Sequence, residues 1–442
     1  MSNTNSTDKD AGTGLRTTDR AMDRVQASLR KRYRAEKRFR AYGLISVVVG
    51  ILFLFVLMAS ILAKGYPAFR QTFVTLDVYL DAAVIDPQGS RDPAVLRVAD
   101  YKRLIRNSLQ EIFPQASGRS DRRKLVALIS NGAPFQIQGL VMDEPSLVGQ
   151  TLTLEVPASA DLDMLMKGRI DRSVPETQRR LSDAQIGWVD TLIEQGRVHK
   201  RWNKALLSNG DSRDPEMAGI LGAAKGSFYM LVVTLVLSFP IGVAAAVYLE
   251  EFAPRNRWTD LIEININNLA AVPSIVFGLL GLAVFLNFFG MPRSAPLVGG
   301  LVLTVMTLPT VIISSRAALT SVPPSIREAA LGMGASKMQA TFHHVVPLAI
   351  PGMLTGTIIG MARALGESAP LLMIGMVAFI VDVPQGFMDP ATALPVQIYL
   401  WADAPERAFV ERTSAGILVL LAFLIAMNAL AIYLRRRFER RW

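Results

Sequence analysis

Long apolar runs constrain this chain more than any other feature of its sequence. The run from Tyr42 to Ala63 contains no charged residue, and roughly 20 apolar residues suffice to cross a bilayer as a helix. Lipid offers the backbone no hydrogen-bond partners, so such a run must be helical. The chain is 51% hydrophobic with a mean hydropathy of +0.31, which is more apolar than a typical soluble domain. We therefore predict an all-α polytopic membrane protein.

Five further apolar runs predict six transmembrane helices in all. They cover residues 228–248, 266–289, 297–315, 352–380 and 415–434. Basic residues crowd both ends of the chain, in the segment before Tyr42 and in the tail at residues 435–442. The positive-inside rule then places both termini in the cytoplasm. The cations beside the first span are explained by this orientation, so we expect no nucleic acid partner.

The polar stretches divide the chain into predicted domains. Residues 1–41 form a basic cytoplasmic segment whose first 22 residues should be disordered, and residues 42–64 form the first span. Residues 65–217 contain no apolar run, and their alternation at 72–80 and 151–156 predicts strands, whereas 99–112 and 176–194 have helical spacing. We expect a small inserted α+β domain outside the cytoplasm, structural or docking in role. Residues 218–434 form the core with the other five spans.

Several classes of site are excluded by composition. The chain has no cysteine and three histidines, which rules out disulfides and thiolate metal sites and leaves little for any metal centre. No Gly-rich phosphate loop of the Gly-x-x-x-x-Gly-Lys-Ser/Thr type occurs. We expect no cofactor, no metal and no catalytic residue, so any ATP hydrolysis must occur on another polypeptide.

Prolines inside the predicted spans point to breaks in those helices. Pro240, Pro273 and Pro309 stand beside small residues such as Ser274 and Gly278. A proline frees a carbonyl that must find protein or water within the membrane. These spans either pack closely against others or line a hydrated path, which makes Ser274 a candidate pathway residue.

A polar segment between two spans predicts a surface helix at residues 325–347. Ser325 and Glu328 have capping-box spacing, and Pro347 limits how far the helix can extend. The small residues that follow would let a partner backbone approach closely. A capped surface helix with no partner is the alternative.

This segment resembles the EAA loop of binding-protein-dependent ABC importer permeases. The motif is carried by Glu328, Ala329, Ala330, Gly334 and Pro347 at the family spacing. The resemblance implies a type I importer permease fold. It also implies that residues 325–347 form the coupling helix, which docks on a dimer of ATP-binding subunits.

Two opposite charges lie inside the fifth predicted span. Arg363 and Glu367 are four residues apart, so they should share a helical face and pair. Counting about 1.5 Å per residue from Gly352 places them roughly 16–22 Å into the helix, near the bilayer midplane. The pair is either structural or a solute site in which Arg363 attracts an oxyanion and Glu367 orients it or accepts a phosphate hydroxyl.

The sequence around this pair resembles phosphate-specific permeases of the PstA type. Residues 362–372 read Ala-Arg-Ala-Leu-Gly-Glu-Ser-Ala-Pro-Leu-Leu, and residues 272–278 read Val-Pro-Ser-Ile-Val-Phe-Gly. The resemblance implies phosphate as solute, with Arg363, Glu367 and Ser368 on its path. Arg316 differs from the family pattern and is either a second anion contact or a cytoplasmic anchor. A second permease subunit and a periplasmic phosphate-binding protein are implied as partners.

The combined prediction is a multi-pass permease subunit of an ATP-driven phosphate importer in the cell inner membrane. It is not itself an enzyme. Two alternatives stay open: a permease for another oxyanion such as phosphonate or molybdate, and a membrane-anchored sensor or scaffold that works through its outer domain.

Overall fold

The computed structural model describes residues 11–438, and the chain divides into two compact units after Ile61. Helix α1, Ala11–Gly65, contains 55 residues and includes the whole first predicted span. Residues 1–10 of the predicted disordered stretch lie outside the described residues. For residues 11–22 that prediction is wrong, because the helix extends back to Ala11. Residues 23–41, which follow, are rich in Arg, Lys and Ala, which favour helix.

A small region of mixed helices and strands, called the α/β region below, follows the first span. After a 3₁₀ turn at Tyr66–Phe69, its elements are β1 Arg70–Tyr79, α2 Ala82–Ile85, α3 Pro93–Val98, α4 Tyr101–Ile112, α5 Arg119–Val126, α6 Ala133–Asp143, β2 Thr151–Pro157, α7 Ala160–Met166, α8 Asp183–Glu194, β3 Val198–Trp202 and α9 Lys204–Ser208. The strands form one antiparallel sheet in the order β2-β1-β3.

The sheet forms because β1 alternates in polarity. Val74, Leu76 and Val78 are fully buried on one face of the central strand, as the period of two requires. Leu76 lies opposite Leu154 of β2. Strands β1 and β2 were predicted, whereas β3 was missed because its sequence, Val-His-Lys-Arg-Trp, is almost entirely exposed.

Caps decide where the helices of this region begin. The Asp100 carboxylate accepts a hydrogen bond from the Arg103 amide at 3.1 Å, which starts α4. Ser182 and Gln185 form a capping box, so α8 begins at Asp183 and not at residue 176 as predicted. The residues before it make only a short 3₁₀ turn at Glu176–Gln178.

The remaining helices belong to the membrane core. They are α10 Leu221–Val247, α11 Arg257–Ala270, α12 Ser274–Gly281, α13 Pro296–Thr320, α14 Pro324–Gly332, α15 Lys337–Ala340, α16 Val346–Gly366, α17 Ala369–Met373, α18 Leu394–Ala402 and α19 Ala408–Phe438. Helices α10, α12 and α15 continue into π-helical turns at Tyr248–Phe252, Leu282–Phe288 and Thr341–Val345.

The predicted span at residues 266–289 is not one straight helix. Helices α11 and α12 are bent by 101° at a short break. Pro273 provides the reason: it cannot donate to the preceding turn, and it disfavours the helical conformation at Val272. Within residues 11–438, five helices are long and apolar enough to span a membrane, or six if this bent pair counts as one span.

The predicted span at residues 352–380 also ends early. Helix α16 stops at Gly366, and Glu367 is extended with φ −79° and ψ 123°. The short helix α17 then starts with Pro370 in its first turn. The chain therefore contains a second break, between α16 and α17, in the segment that carries the charged residues.

Candidate functional site

The short helices that follow the two breaks pack together in the membrane core. Helix α12 packs against α17, and the contact is so close that a Cβ added to Gly278 would lie 2.7 Å from the Pro370 Cα. Leu365, Leu371 and Phe277 belong to the same buried apolar cluster. Broken spans of this kind expose backbone groups only where protein or a cavity surrounds them. We regard the region between the two breaks as the candidate solute site.

Arg363 and Glu367 form an ion pair at this site, but not on one helical face as predicted. Arg363 lies in the last turn of α16, and Glu367 is the first residue after it. The Arg363 Nε lies 3.6 Å from a Glu367 carboxylate oxygen. The Arg363 side chain is 53% exposed within this chain, against 22% for Glu367. The guanidinium therefore keeps free donors while one carboxylate stands beside it. The depth of the pair in the bilayer stays a prediction.

Two of the predicted pathway serines stand at the starts of the short helices. Ser274 is the first residue of α12 and follows Pro273. Ser368 is the residue at which α17 begins, and its hydroxyl makes no capping hydrogen bond. Both side chains are partly buried. They flank the two breaks; the sequence predicted a continuous span around Ser368, and the role of both serines on the pathway stays a prediction.

Arg316 occupies a different environment. It lies near the end of α13 and contacts Glu263 at 2.8 Å and Glu250 at 3.4 Å. Two carboxylates thus match its charge, which favours the anchor reading over a second anion contact.

Buried hydroxyl groups lie in the region where α10, α13 and α16 pack together. Ser238, Thr307 and Ser315 are buried, and their hydroxyl oxygens have no hydrogen-bond partner in the described residues. Such groups require water or a rearranged neighbour. The sequence interpretation did not single them out, because serine and threonine in an apolar run also satisfy themselves on their own helix.

The predicted surface helix is two helices joined by a turn. Helix α14 begins at Pro324 after Pro323, so Ser325 lies inside it and makes no cap. Proline suits the first helical position because its φ is fixed and its missing amide would be unbonded there anyway. The predicted capping box at Ser325 and Glu328 is therefore wrong. A capping box does occur further along, between Ser336 and Gln339.

Gly334 ends α14 in a Schellman turn. Its φ is +87°; its amide donates to the Leu331 carbonyl, and the Ala335 amide donates to that of Ala330. Only glycine adopts this conformation without strain. Helix α15 continues through its π-helical turn and Pro347 into α16. The π-helical turn precedes that proline and accommodates the hydrogen bond that it cannot donate.

The coupling-motif residues form an open surface. Glu328 and Ala329 are exposed, while Ala330 is buried against the protein. Side chains added at Gly332 or Gly334 would meet nothing within 4 Å. The surface around Gly332 and Gly334 is therefore open within the described residues.

Arg327, which the sequence interpretation missed, fastens α14 to the core. Its guanidinium donates to the Glu251 carboxylate at 2.6 and 3.1 Å and to the carbonyls of Leu319 and Val322 at 3.0 and 2.8 Å. Both of these bonds to Glu251 go to the same carboxylate oxygen, and Nε also reaches the other oxygen at 3.4 Å, so the contact fixes orientation as well as distance. Arg327 thus joins α14 to the π-helical turn that continues α10 and to the end of α13. The adjacent Glu250 and Glu251 were the available signal, since two acids in a basic loop require partners.

Comparison with known proteins assigns the class of this chain. Residues 238–442 match the family described as binding-protein-dependent transport system inner membrane component, and residues 26–176 match a domain family of unknown function. The chain is 39% identical to the probable ABC transporter permease YqgI of Bacillus subtilis over 35% of its own length and 52% of that relative, so the alignment spans about half of YqgI. A second B. subtilis permease, YqgH, is 32% identical over 52% of this chain and 75% of its own length.

A permease from another organism and a solved transporter structure are also similar to this chain. The phosphate transport system permease protein PstA 1 of Mycobacterium tuberculosis strain H37Rv is 32% identical over 49% of this chain and 70% of its own length. Among solved structures, the MetNI methionine ABC transporter aligns over 50% of this chain and 98% of the matched chain, with 21% identity and a TM-score of 0.41.

The fold and these sequence matches define a helical, multi-span permease of the inner membrane. The chain belongs to the family of binding-protein-dependent transport system inner membrane components, the ABC transporter permeases. It is a transport subunit and not an enzyme, as predicted.

Proposed function

We propose that this chain is the permease subunit of an ATP-driven importer for inorganic phosphate. The observation that carries the proposal is the pairing of Arg363 with Glu367 at a helix break. Relatives named as phosphate transport permeases support the choice of solute. The nature of the break supports a solute site, because discontinuous spans near a charged side chain commonly bind ions in transporters.

Arg363 attracts the anion in this proposal. Guanidinium offers a permanent charge and several donors in a plane, which match a phosphate oxyanion. Glu367 holds the guanidinium while the site is empty and accepts a hydrogen bond from a phosphate hydroxyl when it is filled. Ser274 and Ser368 add hydroxyls at the two breaks. Arg316 acts as an anchor near the cytoplasmic ends of the spans.

Transport is coupled to ATP hydrolysis through α14. We propose that Glu328, Ala329, Ala330 and Gly334 contact a groove of the ATP-binding subunit dimer, and that Pro347 marks where this segment enters the membrane. Closure of that dimer moves α14, and Arg327 transmits the movement. The spans then alternate between outward-facing and inward-facing arrangements.

The remaining partners follow from the class of importer. We propose a second permease subunit that completes the pathway, a periplasmic phosphate-binding protein that delivers the solute, and a cytoplasmic location for both termini. The small α/β region at residues 65–217 then lies on the periplasmic side. The basic segment before Tyr42 and the basic tail support this orientation.

Uptake of radioactive phosphate by the assembled importer tests the proposal. We expect Arg363→Ala to reduce uptake at least about tenfold, because a charge-assisted hydrogen bond to the solute is lost. Arg363→Lys retains the charge but not the planar fork, so it should retain partial activity. Arg255→Ala is the matched control, since Arg255 is exposed and makes no ion pair within the described residues; it should leave uptake unchanged.

Two results would contradict the proposal. Unchanged phosphate uptake by Arg363→Ala would remove the site from the pathway. Competition by phosphonate or molybdate stronger than by unlabelled phosphate would reassign the solute to another oxyanion.

A further inference from the structure

A basic cavity lies away from the proposed pathway, in the region before α10. It encloses about 660 Å³ between α4, α5, the start of α7 and the loop that precedes α10. That volume is in the range of about 300–1,000 Å³ seen for ligand sites. Six of its cationic side chains come from three parts of this region: Lys102, Arg106, Arg119, Arg122, Arg123 and Arg180.

Most of these cations lack a partner of opposite charge. Among the described residues, only Arg180 of the six makes an ion pair, with Asp161 at 3.5 Å. Other arginines of residues 65–217 are paired; Arg197 with Asp77 and Arg201 with Glu155 are examples. Four carboxylates, those of Asp161, Asp214, Glu216 and Glu406, also line the cavity, so its seven cations, Arg213 included, leave an excess of three positive charges. Like charges that converge on one cavity repel each other. An anion in the cavity would offset that excess, so the arrangement favours an anionic ligand.

The floor of the cavity carries acceptors for hydrogen bonds. Glu216 and Ser130 line it and are almost fully buried; the Ser130 hydroxyl oxygen already accepts a hydrogen bond from the Gly132 amide at 3.0 Å. The buried Asp161 Oδ1, which Arg180 approaches at 3.5 Å, makes no hydrogen bond in the part of the chain that the structure describes. Burial raises the pKa of the Glu216 carboxyl, and the hydroxyl of Ser130 partly opposes the shift. A ligand with both negative charge and its own hydroxyl satisfies the cations and the floor together.

A seventh cation is held in position at the rim. Arg213 lines the cavity, and its guanidinium lies over the Phe379 ring at 5.4 Å from the centroid. This contact links the cavity to the segment that follows α17. The cavity lining includes neither Arg363 nor Glu367, so the two candidate anion sites use separate residues.

We propose that this cavity binds a phosphate oxyanion, either free orthophosphate or a short phosphate chain. Phosphate matches the rim through its charge and the floor through its hydroxyl, whereas sulfate has no hydroxyl to donate at neutral pH. The volume exceeds the space that a single small anion needs, which leaves room for a chain or for bound water. Binding is a property of these residues alone; only the periplasmic location of the cavity rests on the proposed function.

Calorimetric titration of the purified full-length protein tests this site. Every sample carries Arg363→Ala, so that the proposed pathway does not contribute. The probes are orthophosphate, tripolyphosphate and sulfate. The test variant is Arg106→Ala and its control is Arg103→Ala, because both arginines are exposed on α4 but only Arg106 lines the cavity. Arg122→Ala on α5 provides a second, independent test variant.

We expect at least one of the two phosphate probes to bind, and the tighter-binding of the two to bind more tightly than sulfate. Arg106→Ala and Arg122→Ala should each weaken binding about tenfold, the usual effect of losing a charge-assisted hydrogen bond. Arg103→Ala should change it less than twofold. Tighter binding of tripolyphosphate than of orthophosphate identifies the phosphate chain as ligand, and tighter binding of orthophosphate identifies free phosphate.

Three outcomes would overturn the inference: no binding of either phosphate, equal affinities in the Arg106→Ala and Arg103→Ala proteins, or sulfate binding as tightly as the tighter-binding phosphate probe. Because uptake is not measured here and Arg363 is already absent, failure of this site leaves the transport proposal untouched. Failure of the transport proposal likewise leaves this one untouched.

Discussion

At the scale of single residues, the placement of Glu367 is unusual for an anion site. A carboxylate 3.6 Å from the guanidinium of Arg363 should repel a dianion by coulombic interaction. The repulsion is offset if the solute donates a hydrogen bond, because a carboxylate is a strong acceptor. Phosphate at neutral pH carries at least one hydroxyl, and sulfate carries none. Glu367 therefore discriminates between these two oxyanions in our proposal.

Glu367→Gln tests this discrimination. The amide retains an acceptor but removes the charge, so sulfate should compete with phosphate at least several-fold better than in the unmodified importer. Phosphate uptake itself should fall, since Arg363 loses its ionic partner. The measurement is radioactive phosphate uptake with increasing sulfate. Asp403→Asn, an exposed carboxylate in the loop after α18, is the control, and identical sulfate inhibition in both variants would contradict the role of Glu367.

The sequence predicts which charged residues belong to this region better than it predicts which residues they contact. Spacing of four predicted that Arg363 and Glu367 would meet, and they do, although the helix ends between them. The partnership of Arg327 with Glu251 joins residues 76 positions apart. No local pattern specifies such a pair, because it depends on the tertiary packing that brings α14 to the turn after α10.

At the scale of elements, proline and glycine positions predicted irregularity but not its geometry. Pro273 marks the break between α11 and α12, yet the 101° bend follows from the packing of α12 on α17. The second break, at Glu367, has no proline of its own; Pro370 three residues later was read as part of a continuous span. Apolar composition identifies a membrane segment but is insensitive to whether that segment is one helix or two.

Two glycines of the coupling segment provide a matched pair. A residue that replaces Gly334 must adopt φ near +87°, which costs about 1–2 kcal/mol for an L-residue. Gly332 is helical, so alanine there should be neutral or stabilising by up to about 1 kcal/mol. Neither change creates a steric clash, since both positions face open space. A difference in behaviour between the two alanine variants therefore measures the contribution of the turn at Gly334.

We expect Gly334→Ala to loosen the end of α14 and to weaken coupling. Amide hydrogen exchange across residues 324–332 should become about tenfold faster, and solute-stimulated ATP hydrolysis by the assembled importer should fall. Gly332→Ala should leave both quantities unchanged or slow the exchange. If the two variants behave alike, the Schellman turn is not needed to present α14 to the ATP-binding subunit.

At the scale of the whole molecule, buried charges join the α/β region to the last span. Lys167, in the residue after α7, contacts Asp163 at 2.7 Å and Glu411 of α19 at 2.6 Å, and its side chain is only 7% exposed. Asp163 also accepts hydrogen bonds from the amide and hydroxyl of Thr72 in β1. The α/β region is therefore continuous with the core by fixed, polar contacts. The sequence gives no sign of this network, because its members lie up to 339 positions apart between Thr72 and Glu411.

This network ties the α/β region to α19. Lys167→Met removes the cation that contacts both Asp163 and Glu411, and breaking a buried ion pair typically destabilises a protein by about 3–5 kcal/mol. The buried Arg412 guanidinium, which also interacts with both carboxylates, remains and should hold the loss toward the lower end of that range. Arg172→Met breaks an exposed pair with Asp190 at 2.8 Å, and exposed pairs contribute about 0–1 kcal/mol. Thermal unfolding of the purified protein should therefore show a clearly lower midpoint for Lys167→Met and almost none of that shift for Arg172→Met. The double variant Lys167→Met/Glu411→Gln removes one of the two stranded carboxylates, so it should recover part of the loss. If the double variant is no more stable than Lys167→Met alone, the link between the α/β region and α19 does not depend on this charge balance.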